Sequence, residues 1–142
     1  MIIKNIIIGE DIRQEIGNKL SLMGIVGDSI NIGIPHDAPQ DMQIPVMLAS
    51  LITIEDNITK DTNDFAMQVT MSLGENQFAK MAAMIGANGR PRIFHIPVPK
   101  FQFTLAETSV LTVNAKITKN DEVVSEGSYI LDVIINRNQD NR

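Results

Sequence analysis

The chain has 142 residues, enough for one domain with a real core, and its 44% hydrophobic and 20% charged residues are a globular rather than a disordered composition. A net charge of −5 argues against general nucleic-acid affinity, and Arg90-Pro-Arg92 with Lys100 is too small a basic patch to reverse that. The absence of cysteine excludes disulfides, thiol catalysis and thiolate metal sites, and with no Trp, one Tyr and eight Met the core has to be aliphatic.

The first residues, Met1-Ile2-Ile3-Lys4-Asn5-Ile6-Ile7-Ile8, form short apolar runs split by Lys4 and followed by Glu10 and Asp11, which is not the pattern of a secretory leader. No apolar run approaches the roughly 18 residues of a membrane span. A cytoplasmic protein without membrane contact is expected, and in that setting the Asn57-Ile58-Thr59 sequon carries no weight.

Period-two alternation dominates the rest, and it places alternate side chains on opposite faces of a strand. A turn at Gly17-Asn18 would pair the first two strands as a hairpin, the second beginning at Leu20 and Leu22. Gly24 and Gly27 mark a bend before a strand carrying Ile30, Ile32 and Ile34. Residues 44–54 are apolar almost throughout and predict a strand buried on both faces, or one interrupted by a bulge near Ser50. The clearest alternation runs over 65–73, with Phe65, Met67, Val69, Met71 and Leu73 on one face.

Residues 76–85 fit two elements. Asn76 as N-cap, Phe78, Met81, Ala82 and Ile85 on one face and Gly86 as terminator would make a short helix, whereas the surroundings favour a strand. Asn88-Gly89 then marks a tight turn. Phe94, Ile96 and Val98 alternate on even positions and Phe101, Phe103 and Leu105 on odd ones, so parity slips beside Pro97 and Pro99. Leu111, Val113, Ala115 and Ile117 define another strand, Lys119-Asn120-Asp121-Glu122 a hairpin turn, and 122–125 a short strand. The last strand carries Tyr129, Leu131, Val133 and Ile135, and a polar tail over 136–142 is expected to fray. About eight such strands, with no repeat or linker, predict a single all-β domain over 1–142, an antiparallel β-sandwich.

The run Ile8-Gly9-Glu10-Asp11-Ile12-Arg13-Gln14-Glu15, followed by Asn18-Lys19-Leu20-Ser21-Leu22-Met23-Gly24-Ile25-Val26-Gly27-Asp28, resembles the opening of a family of small bacterial all-β proteins of unknown function (domain of unknown function family 6941). The resemblance covers mainly residues 1–28. It implies a compact all-β domain and no activity. Where the family pattern has a Gly-containing turn before the penultimate hairpin, this chain has Glu107-Thr108-Ser109.

Glu10, Asp11, Arg13 and Asp28, with Glu15 nearby, are the candidate binding residues. Converging carboxylates hold a hard cation or share acid and base roles, whereas edge charges merely keep a sheet soluble. No metal-loop spacing accompanies them, and Asp37, Asp41, Asp56, Asp61 and Asp64 read as loop and turn residues. His36 and His95 cannot fill a zinc site by themselves. No nucleophile elbow, phosphate loop or cofactor motif is present, so no catalytic residue, metal ligand or cofactor is assigned, and any small-molecule ligand is unknown from the sequence. The expected function is a non-enzymatic domain that binds a protein partner or a copy of itself, motivated by 44–54 and by Ile130 and Ile134, which lie opposite Tyr129, Leu131 and Val133. The alternative is a metal-binding module or metal-dependent enzyme around Asp11 and Asp28.

Overall fold

The computed structural model describes residues 1–138, which form ten strands and no helix. In chain order these are β1 (Ile2–Gly9), β2 (Asp11–Glu15), β3 (Lys19–Met23), β4 (Ser29–Pro35), β5 (Ile44–Asp56), β6 (Asp61–Leu73), β7 (Asn76–Asn88), β8 (Arg92–Leu105), β9 (Ser109–Lys119) and β10 (Glu122–Asn138). They build a three-stranded sheet in the order β1-β5-β8, a five-stranded sheet in the order β4-β10-β9-β6-β7, and the separate β2–β3 hairpin.

The expectation of about eight antiparallel strands is corrected in several respects. Residues 76–85 belong to a strand, because β7 pairs with β6 along nearly its whole length. The helix-favouring Ala and Met content of this segment is overridden by the ladder hydrogen bonds it gains and by burial of Ile85 and Ala87. Residues 122–125 and 129–135 are one strand with a register shift between Val123 and Ser125. β4 lies parallel to β10, so the architecture is not purely antiparallel. The expected fray stops short of Asn136, Arg137 and Asn138, which pair with Gly33, Ile34 and Pro35, and the rest of that expectation, 139–142, lies outside the described residues.

The alternation seen in the sequence maps onto the layers. Ile6 and Ile8 of β1, Ile52 and Ile54 of β5, and Val98, Phe101 and Phe103 of β8 meet Met67, Val69, Leu111, Val113, Leu131 and Val133 of the larger sheet in one core. The parity slip in β8 is a β-bulge. Leu48 pairs with Phe101 and Ser50 with Val98, so Ala49 alone faces both Pro99 and Lys100. Phe94, Ile96 and Val98 therefore share the inner face with Phe101, Phe103 and Leu105 despite their opposite parity.

The β9–β10 turn is built from Asn120 and Asp121, both left-handed at φ 52° and 65°. That is the type I′ geometry whose twist suits a two-residue hairpin, and at Asp121 it carries a side chain where glycine is free of strain. Asp121→Gly is expected to stabilise the protein by roughly 0.5 kcal/mol in urea titrations, the relief of strain exceeding the entropy added to the unfolded chain.

Candidate functional site

β1 and β5 pair only as far as Gly9 and Ala49. There the chain turns away at Glu10, whose N–H donates to the Met23 carbonyl at 2.8 Å, and the β2–β3 hairpin leaves the sheet. Gly9 is required at this departure, since a Cβ would lie 2.8 Å from the Met23 backbone oxygen and 2.9 Å from Leu22 Cγ. The hairpin tip carries Ile16 97% exposed. After β3, the Val26 N–H returns to the Ile8 carbonyl at 2.9 Å, and the hydroxyl of Tyr129 lies against the Gly27 and Val26 carbonyls, seating the link into β4.

This geometry separates the four expected site residues. Asp11 and Arg13 share a face of β2 and form an ion pair at 3.6 Å. The bulge in β8 brings in Lys100, whose ammonium lies 3.8 Å from the other Asp11 oxygen. Glu10 points elsewhere, against Gly24, and makes no ion pair among the described residues. Asp28 joins none of them; its carbonyl accepts the Asp132 N–H at 2.9 Å where β4 enters the five-stranded sheet. Among the described residues no three His, Asp or Glu side chains are grouped so as to hold a metal ion.

Between β4 and the first half of β5 runs a groove of about 610 Å³. Ile30 and Ile32 line one side and Ile44, Val46 and Leu48 the other, with Glu10, Val26 and Lys100 at the rim. Lys100 was legible in the sequence only as a fragment of a basic patch. The doubled residues of the bulge were the signal that it would be turned away from the strand's regular alternation.

A second surface is the outer face of the three-stranded sheet. Cross-strand register aligns Ile7, Leu51 and Pro97 in one row, Asn5, Thr53 and His95 in the next, and Ile2, Glu55 and Ile93 in the third. Ile2 is 49% and Ile93 66% exposed. His95 is exposed on the face opposite Phe94, Ile96 and Val98, and its Nδ1 is hydrogen-bonded to the Thr53 hydroxyl at 2.9 Å. The Lys4 ammonium, 3.0 Å from Glu55, and the Asn57 amide hold the Glu55 carboxyl below the usual carboxylate range. On the larger sheet Ile130 is likewise open, at 63% exposure, while Ile134 is half-buried.

No model of a known protein family matches the chain, and no curated protein matches it.

Proposed function

We propose that the chain is a single, non-enzymatic β-sandwich domain that binds protein, a different chain or a second copy, through the outer face of its three-stranded sheet. The supporting observation is the apolar composition of that face. A solvated antiparallel sheet face ordinarily carries polar residues, alternating with the apolar ones that face the core. Here five of the nine positions in the three outer rows are Ile2, Ile7, Leu51, Ile93 and Pro97. Ile7, Leu51 and Pro97 form an apolar row across the three strands, the polar row Asn5, Thr53 and His95 borders it, and Ile2 and Ile93 flank Glu55 beyond, so apolar groups are interspersed with polar ones as in a non-obligate interface. Thr53, His95 and the Lys4–Glu55 pair supply the polar complement.

The test is light scattering across a wide concentration range, for the wild type and for Ile93→Glu. Because Ile93 is exposed, the variant is expected to keep the fold while weakening association at least about tenfold. If the wild type stays monomeric throughout, and immobilised wild type and Ile93→Glu retain the same partners from the native cell, the proposal fails.

A further inference from the structure

We infer that the groove between β4 and β5 is a strand-acceptor site, which takes an extended segment of a protein partner with apolar side chains at alternate positions and a Lys or Arg beside Glu10. The inference extends the reading of the protein as a binding domain to a different surface, so the two fail separately.

The groove is bordered by strand edges rather than by sheet faces. A face would present every second residue, because side chains alternate. Here Ile30, Asn31 and Ile32 follow one another along one side, and Ile44 to Leu48 along the other. Both edges lack a hydrogen-bonded strand neighbour among the described residues. β4 is terminal in its sheet and pairs only with β10. β5 pairs with β1 from Ala49 onward, but Ile44 to Leu48 pair only with β8, because β1 ends at Gly9 and the chain departs into the hairpin. Two free edges thus offer backbone N–H and C=O groups to one space, and an added strand satisfies such groups.

The apolar lining explains the required side chains. Ile30, Ile32, Ile44, Val46 and Leu48 line the groove, so a strand laid in it points every second side chain at an apolar surface. A five-residue strand spans about 17 Å, the reach of the Ile44–Leu48 edge. Charge selects among such strands. Glu10 at the rim has no ion-pair partner among the described residues, whereas Lys100 lies 3.8 Å from the Asp11 carboxylate that it shares with Arg13, so Glu10 is the rim charge without a partner. The net charge of −5 acts in the same direction on a basic segment approaching from solution.

The experiment screens the intact protein against acetylated and amidated heptapeptides with Val, Ile or Leu at the even positions and Lys, Glu or Thr at the odd ones. Binding is read by fluorescence anisotropy and sites by amide hydrogen exchange. Lys-containing peptides are expected to bind and to slow exchange at Ile30–Ile32 and at Val46–Leu48, Pro45 offering only its carbonyl. Methylating alternate peptide backbone nitrogens keeps the side chains and removes about two ladder bonds, so binding should weaken about tenfold. Glu10→Lys, at an exposed position, should reverse the preference from Lys to Glu peptides, while Ile93→Glu leaves it unchanged. Absence of any binding peptide, indifference to N-methylation, or protection confined to another edge overturns the inference. A wild-type dimer dissolved by the peptide also overturns it, since the occupant would then be a second copy.

Discussion

Replacing Arg92 with methionine is expected to cost about 3 kcal/mol and to lower the melting temperature by roughly 10 °C. The Asp56 side chain is completely buried, and its two carboxylate oxygens accept from the Ile58 N–H at 3.0 Å and from Arg92 Nε at 3.3 Å. Arg92 also donates through Nη2 to the Gly86 carbonyl at 2.7 Å and lies 4.5 Å over the Phe94 ring. Asp56 and Arg92 face each other across β5 and β8 of the smaller sheet, whereas Gly86 belongs to β7 of the larger one. One guanidinium therefore neutralises a buried carboxylate and ties the two layers together at the same time. Without it the carboxylate keeps a single backbone donor, and breaking a buried pair costs more than the pair itself contributes. The low end of that range applies because the Arg92 side chain is 37% exposed.

Urea denaturation of Arg92→Met, Asp56→Asn and the double variant checks this by a thermodynamic cycle. Asn keeps an acceptor for the Ile58 N–H and carries no charge, so the double variant should recover about 2 kcal/mol of the Arg92→Met loss. A loss below about 1 kcal/mol for Arg92→Met would mean that the pair behaves like an ordinary surface contact.

The same pair shows what the sequence carried and what stayed hidden. Asp56 continues the even-numbered series of Ile52 and Ile54, and Arg92 that of Phe94, Ile96 and Val98, so both charges lie on inward-facing positions. Read by residue type alone, Asp56 passed as a turn aspartate and Arg92 as part of a weak basic patch. The parity slip at Pro99 was fully legible, because two apolar series of opposite parity can share one core only across a bulge. β7 was not, since Ala82, Ala83 and Met84 suit either element locally. The missed signal was Gly74 just after the end of β6; its φ of 60° opens a two-residue turn that commits the following residues to a hairpin.

Parallel pairing of β4 with β10 had no local trace, because partners separated by about a hundred residues leave no pattern in either strand. The candidate site divided along similar lines. Asp11 and Arg13 share a face, as their spacing requires, but the position of Asp28 follows from the bend over 24–28 and from the β4–β10 pairing.

The largest loss is expected from Ile52→Ala, and its neighbour Leu51 makes the comparison informative. Ile52 is fully buried at the centre of the smaller sheet, between Ile6 and Ile96 and against the shared core. Truncation removes three carbons from a site walled by strands that cannot close in, and about 3 to 4 kcal/mol should be lost in urea titrations. Leu51 points the other way, between Ile7 and Pro97, and is half-buried. Leu51→Ala should cost about 1 kcal/mol in the isolated chain and show its main effect on association, measured by light scattering beside Ile93→Glu. The sequence presents these two residues as equivalent members of one apolar run. Under the proposed function a partner covers the outer row, and Leu51 contributes to that contact rather than to the core. Equal losses of stability from both substitutions would show the outer row already packed within the isolated chain, and the reason to seek an interface there would go with it.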